Sequence, residues 1–220
     1  MMSDRTDERI FAVGDIHGCL DHLQQLIRML PIRKGKDRLV FIGDYIDRGA
    51  DSQGVVDYVR CLQEDFCETV FLMGNHEQMF LDYLEGRNAE MFLYNGGTET
   101  LVSYGLHGRK EVSPADLPPG HLTFFQNLRP YYESDKFILV HAGLRPGIPL
   151  SEQSIDDLLW IRFEFIKNDY DFGKTVIFGH TPLSKTVPFY GAKKVGIDTG
   201  AVYGGRLTCL VLPSMRLYQV

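Results

Sequence analysis

The chain has 220 residues, 44% of them hydrophobic and 24% charged, with a formal net charge of −6. This is the size and make-up of one globular domain with a sizeable buried core. The acidic balance, with no basic block to offset it, argues against nucleic acid as the partner, and no apolar run is long enough to cross a membrane or serve as a signal-peptide core.

In chain order, residues 1–9 read as a polar lead-in. The first apolar run follows, Phe11-Ala-Val-Gly-Asp15-Ile-His17-Gly. Leu20, Leu23, Leu26, Ile27 and Leu30 then recur at helical spacing until Pro31 stops the pattern. A second run, Leu39-Val-Phe-Ile-Gly-Asp44-Tyr-Ile-Asp47-Arg48-Gly, leads to a helix that Asp51 or Ser52 can cap, with Val55, Val56, Val59 and Leu62 facing inward. A third, Val70-Phe-Leu-Met-Gly-Asn75-His76-Glu, opens another helix over residues 76–84. These strand–helix–strand units imply right-handed parallel crossovers.

The rhythm breaks at about residues 85–130, which read as a helical insertion that shapes or covers a cleft. It contains Gly96-Gly97 and the turn Leu117-Pro-Pro-Gly120. Tyr94 and Tyr104 offer surfaces on which a base can stack, with burial in the core as the plainer use. Two more apolar runs follow, Phe137-Ile-Leu-Val-His141-Ala-Gly and Val176-Ile-Phe-Gly-His180-Thr. Beyond them, Thr186-Val-Pro-Phe-Tyr190, Lys194-Val-Gly-Ile-Asp198, Leu207-Thr-Cys-Leu-Val-Leu212 and Arg216-Leu-Tyr suggest a second, mostly antiparallel sheet packed on the first. The whole is expected to form one domain over residues 1–220.

Five apolar runs thus end in Asp, Asn or His beside glycine, and functional loops gather beyond the carboxyl ends of such strands. Asp15 and His17, two apart, share a face if the strand continues, and with Asp44 they form one ligand set. Asn75, His141 and His180 form a second set, and the two oxygens of Asp44 can bridge both. All the donors are oxygen or nitrogen, which favours Mn²⁺, Fe or Zn²⁺ over soft-metal chemistry. Two ions about 3.5–4 Å apart are a standard arrangement for hydrolysing phosphate esters. Asp198 reads as a turn former or a support to the site, and His22, His107 and His121 as ordinary surface or helix residues. Arg162, in apolar surroundings, calls for an anionic partner: a phosphate, or a structural carboxylate. Cys19, Cys61, Cys67 and Cys209 follow no C-x-x-C spacing and fit reduced thiols in a cytoplasmic protein.

Gly14-Asp-Ile-His-Gly18, Gly43-Asp-Tyr-Ile-Asp-Arg-Gly49, Gly74-Asn-His-Glu77, His141-Ala-Gly and Gly179-His-Thr181 together resemble the metal-dependent phosphoprotein phosphatases, one branch of the calcineurin-like metallophosphoesterases. The bacterial and phage serine/threonine phosphatases look most alike. The resemblance implies an αββα sandwich of two mixed β-sheets flanked by helices. It implies the two divalent-ion sets above, most often Mn²⁺, with His76 as general acid, Asp47 orienting it, and Arg48 and Arg162 binding phosphate. The expected reaction is hydrolysis of phosphoprotein or phosphopeptide monoesters at serine and threonine, and at phosphotyrosine as well, by direct attack of a hydroxide bridging the two ions. Pro182 stands where many phosphodiesterases and nucleases carry a second His, which points away from them. The main alternative is a symmetrical diadenosine tetraphosphatase, which shares His141-Ala-Gly and Gly179-His-Thr; Asp47 favours the protein phosphatases. A catalytically silent metal-binding scaffold is a third possibility, disfavoured because Asp44, Asn75, His76 and Arg162 are all retained. No regulatory subunit is expected.

Overall fold

The computed structural model describes residues 9–65, 68–185 and 188–220. Most of the polar lead-in, Cys67 and the first two residues of the Thr186–Tyr190 run lie outside them. The first three apolar runs form β1 (Ile10–Val13), β2 (Arg38–Phe41) and β3 (Thr69–Phe71). The helices between and after them are α1 (Leu20–Met29), α2 (Ser52–Asp65) and α3 (Asn75–Leu84). Asp51 caps α2, its Oδ1 accepting the Gly54 N–H at 2.8 Å. The strands pair in parallel, β1 with β2 and β2 with β3.

The middle segment is helical in short pieces: α4 (Ala89–Phe92), a kink over Leu93–Gly97 where Gly96 has φ 99°, α5 (Thr98–Ser103) and α6 (His121–Gln126). The second half supplies β4 (Tyr131–Glu133), β5 (Phe137–Val140), α7 (Ile155–Trp160), α8 (Phe163–Ile166), β6 (Thr175–Phe178), β7 (Phe189–Gly191) and β8 (Lys194–Gly196). It closes with β9 (Thr208–Leu212) and β10 (Arg216–Gln219).

Two five-stranded mixed sheets result, ordered β10-β9-β1-β2-β3 and β4-β5-β6-β8-β7. The late strands depart from the antiparallel second sheet that their turns suggested. β8 pairs in parallel with β6, while β9 and β10 return to the first sheet, β9 running antiparallel to β1. The register Phe11↔Val211 and Val13↔Cys209 lets β9 cover the open edge of β1 with side chains as apolar as its own.

Alternation along each strand builds three cores. Phe11, Val13, Leu39 and Phe41 face α1, α2, α3 and the insertion. Ile10, Ala12, Val40 and Ile42 face Leu139, Ile177 and Val195 of the other sheet. Ile138, Val140, Val176 and Phe178 face α7 and α8 through Leu158, Ile161 and Phe165. Strands buried on both faces read as unbroken apolar runs, and this is the αββα sandwich. Part of the insertion belongs to the first core: Phe92, Leu101, Tyr104 and Phe125 are buried. Tyr104 is therefore a core residue, its hydroxyl 2.9 Å from Nδ1 of a buried His121 whose Nε2 meets Asp57. Of the two expected settings, His121 takes the helical one, buried at the start of α6. No described helix is long and apolar enough to cross a membrane.

Just before β2, an inner strand of the first sheet, the buried Asp37 carboxylate receives Arg9 at 2.5 Å and Arg33 at 2.8 Å, together with the Arg33 backbone N–H at 2.7 Å. These hydrogen bonds outweigh burial and hold its pKa well below the usual carboxylate range. A folded pKa below the unfolded one gives stability that is present above about pH 4 and lost as pH falls further. Urea titrations from pH 7 to pH 3 should show this loss, and Asp37→Asn should be less stable at pH 7 with a flatter acid limb.

Candidate metal centre

Four of the five loops carrying the candidate ligands come from strands of two different sheets, β1 and β2 on one side and β5 and β6 on the other. The fifth follows β3 and runs directly into α3, which begins at Asn75. The convergence depends on tight backbone turns. His17, Asp44, Asp47, Arg48 and His180 all have positive φ, between 47° and 71°. Non-glycine residues in that region cost about 1–3 kcal/mol each and persist where surroundings enforce them. Here the Ile16 and His17 N–H groups both donate to the Asp44 carbonyl, at 3.0 and 2.9 Å, and the Gly18 N–H to that of Tyr45 at 2.9 Å. Close approach also excludes side chains: a Cβ on Gly74 would lie 2.2 Å from Asp44 Oδ1, and one on Gly179 2.1 Å from Asp15 Oδ1.

Two triads of donor atoms lie within 4.8 Å of one another, His17–Asp44–His76 and Asp44–His141–His180, all buried. Asp44 is shared between them, and the first holds His76 where the expected set had Asp15. Asp15 is in neither triad, but its Oδ2 accepts the His180 backbone N–H at 2.9 Å and its Oδ1 is buried without a partner. Asn75 Oδ1 lies 2.9 Å from both His141 Nε2 and His180 Nδ1.

The donor chemistry fits a cation. His17 Nδ1 lies 2.8 Å from the Ile46 carbonyl and His141 Nδ1 2.9 Å from that of Ile42. Each Nδ1 must donate there, which leaves each Nε2 as a lone pair. Those lone pairs face Asp44 carboxylate oxygens, both at 3.4 Å. Adding a proton is opposed, because burial holds the pKa of His17 and of His141 down at about 3. Asp15 and Asp44 are pushed well up, first by burial and then by neighbouring carboxylates, Asp198 beside Asp15 and Glu77 beside Asp44. Lone pairs and buried carboxylates crowded in this way are what a divalent ion relieves.

His76, the third donor of the first triad, also meets Asp47. Its Nδ1 is 2.6 Å from Asp47 Oδ2, and its Nε2 is buried without a partner. Burial, followed by the charges of His17 and Arg48, holds His76 low, while burial pushes Asp47 up. The two side chains form one buried hydrogen-bonded pair. The insertion completes it from α5: Thr100 Oγ1 donates to Asp47 Oδ1 at 2.5 Å, and the Asp47 N–H points at Thr100 Oγ1 and Ser52 Oγ, at 2.9 and 3.0 Å. Nothing in the sequence spacing links Thr100 to Asp47.

Arg48 Nη1 lies 2.6 Å from His17 Nε2, and the Arg48 N–H donates to the Gly96 carbonyl of the insertion at 3.0 Å. Arg162 sits on the other side, Nη1 reaching the His180 carbonyl at 3.3 Å and Thr181 Oγ1 at 3.4 Å. Burial holds His141 and His180 low, and the Arg162 charge adds to it. The chain places Arg162 at an exposed corner between α7 and α8, with Leu158 and Ile161 turned inward. The buried guanidinium that called for an anion is thus absent, and among the described residues Arg162 has no carboxylate partner.

Glu77 is the residue that sequence reasoning missed. Its fully buried carboxylate accepts backbone N–H groups from Asp44 (3.0 Å), Tyr45 (2.8 Å), Ile46 (3.4 Å) and Gly74 (3.0 Å). Burial outweighs these bonds and lifts its pKa to about 7. Its place three residues after Gly74, at the start of a helix, was the available signal.

The sequence profile described as calcineurin-like phosphoesterase matches residues 8–205. The chain is 31% identical over 203 residues to serine/threonine-protein phosphatase 1 of Salmonella typhimurium, covering 90% of this chain and 89% of that protein. It is 28% identical over 233 residues to the asymmetrical bis(5′-nucleosyl)-tetraphosphatase PrpE of Anoxybacillus flavithermus, covering 94% and 92%. Among solved structures, it superposes with a TM-score of 0.75 and 25% identity on a candidate diadenosine tetraphosphatase, covering 98% and 94%.

Glu77→Gln leaves one carbonyl oxygen for the four N–H groups and turns an NH₂ toward two of them. Two buried donors left unsatisfied should cost about 2–5 kcal/mol, read by urea denaturation in the presence of a chelator. A change under about 0.5 kcal/mol, the size of an ordinary surface substitution, would mean the clamp is not structural.

Proposed function

Because the chain belongs to the calcineurin-like phosphoesterase family, we propose that it is a metal-dependent phosphatase of the phosphoprotein phosphatase type, hydrolysing phosphomonoesters on protein or peptide substrates. The reading rests on one observation above the others, the His76–Asp47 contact of 2.6 Å with Nε2 of His76 left free beside the ligand cluster. In this assignment Asp15, His17 and Asp44 hold one divalent ion, and Asp44, Asn75, His141 and His180 the other, with Mn²⁺ first among the candidates. Bound divalent ions supply charge neutralisation at phosphoryl oxygens and activation of water.

The residues supply the rest. Arg48 and Arg162 grip the non-bridging oxygens, for which a planar guanidinium with paired donors is better suited than an ammonium. His76, fixed by Asp47 through Nδ1, offers Nε2 as the point from which a proton passes to the leaving oxygen. Thr100 and Ser52 keep Asp47 from turning away. Glu77 fixes the backbone on which Asp44 and Asp47 stand.

A second reading is hydrolysis of dinucleoside tetraphosphates, supported by the 28% identity to a tetraphosphatase over nearly the whole chain. That relative is named asymmetrical, so the nucleotide alternative is not confined to symmetrical cleavage.

The test is turnover of phosphoserine and phosphotyrosine peptides beside diadenosine tetraphosphate, with Mn²⁺ and after chelation. Peptide turnover that needs the metal is expected. His76→Asn should lower kcat about 10²–10⁴-fold with metal content unchanged. A dinucleotide preference of orders of magnitude in kcat/KM would favour the second reading, and inactivity on all three would sink both.

A further inference from the structure

Arg48 is flanked by two segments that each expose a tyrosine. On one side Gly96 approaches so closely that a Cβ there would meet Arg48 Cγ at 2.7 Å, and Tyr94, two residues earlier, is 91% exposed. On the other side the Arg48 guanidinium carbon lies over the Tyr203 ring, 5.6 Å from its centroid. Tyr203 is 48% exposed although it stands beside a buried cluster.

The backbone that carries Tyr203 is a closely hydrogen-bonded turn. Residues Ala201–Tyr203 form one 3₁₀ turn between Gly200 and Gly204, both left-handed with φ of 65° and 76°. The Tyr203 and Gly205 N–H groups both donate to the Gly200 carbonyl at 2.9 Å, Arg206 N–H donates to Thr199 at 3.2 Å, and Lys185 Nζ donates to the Tyr203 carbonyl at 2.8 Å. The turn begins at Asp198, whose buried Oδ1 accepts the Gly200 N–H at 2.9 Å and whose carboxylate feels both Arg48 and Arg162. A half-exposed aromatic ring on a hydrogen-bonded turn is a poor use of apolar surface for stability alone, but an economical platform for another ring, since tyrosine has only two side-chain torsions to freeze.

We propose that Tyr203, with the Arg48 guanidinium against it, forms a stacking subsite for a planar aromatic ring carried on the phosphoryl substrate. The inference rests on the assignment of Arg48 as a phosphate-binding residue. A phosphoryl group on Arg48 lies next to the ring, so an aryl ester or a nucleoside stacks where an aliphatic ester cannot. Ring stacking beyond simple area burial is worth roughly two- to tenfold in affinity. Tyr203 is a specificity residue here and takes no part in bond breaking.

Non-hydrolysable pairs test the subsite without turnover. Binding to the Mn²⁺-loaded protein is measured by calorimetry for benzylphosphonate against propylphosphonate, and for α,β-methylene-ADP against methylenediphosphonate. Either or both ring-bearing members should bind roughly two- to tenfold tighter than their partners, and the pair with the larger ratio identifies an aryl or a nucleoside source. Tyr203→Leu should bring the ratio close to one, and Tyr203→Phe should retain it. Loss of the stacking on Arg48 weakens both members of a pair alike and cancels in the ratio. Equal binding within both pairs, or a preference that survives Tyr203→Leu, overturns the proposal. Parallel turnover of a phosphotyrosine peptide tests the phosphatase reading separately: no turnover with the ring preference intact removes that reading and leaves the subsite standing.

Discussion

The Glu77 carboxylate, shut away from water, accepts N–H groups from both Gly74, just before α3, and the Asp44–Ile46 turn after β2. These bonds join two loops from neighbouring strands at the point where both must leave the sheet sharply. Without an acceptor for those N–H groups, the left-handed turn at Asp44 would carry both backbone strain and unsatisfied donors. Asp44 is the residue shared by the two donor triads, so its placement decides whether they form at all. Asp47 and Arg48, also left-handed, lie on the same stretch of chain. One buried side chain thus orders the backbone from which the shared donor Asp44, the His76 partner Asp47 and one arginine are displayed.

Depth then separates the tasks. The donor cluster is buried, where lone pairs facing one another are unfavourable unless a cation lies among them. The arginines stand outward of it: Arg162 is exposed and hydrogen-bonded only to His180 and Thr181 among the described residues. A dry centre strengthens electrostatic interactions, while an accessible rim allows substrates of varied shape to reach it. This is consistent with a chain that is similar both to a protein named as a serine/threonine phosphatase and to one named as a dinucleoside tetraphosphatase. What surrounds the rim, namely the insertion with Tyr94 and the turn with Tyr203, is where two such enzymes have room to differ.

The fold and the site were legible to different depths. Each buried strand has apolar residues on both faces, so its position and the polar residue that ends it show as an unbroken run followed by Asp, Asn or His. The pairing of the late strands did not show. β9 carries the same Leu/Val pattern whichever sheet it joins, and only the open edge of β1 determines that it goes back to the first. His121 and Tyr104 were likewise ambiguous, because a hydroxyl and an imidazole can be buried only as a satisfied pair, and the pairing is seventeen residues long.

The sequence by itself determined the ligand chemistry, oxygen and nitrogen donors placed just beyond strand ends, because residue type and local periodicity are properties of short segments. Only the tertiary structure decided how those donors meet: Asp44 between two triads, Thr100 of the insertion on Asp47, and Glu77 beneath the loops. It also turned Arg162 outward to the rim. Such contacts join residues as much as 165 positions apart, as with Asp15 and the His180 N–H, and buried hydrogen bonds over such distances follow from the stacking of two sheets and not from the chemistry of either partner.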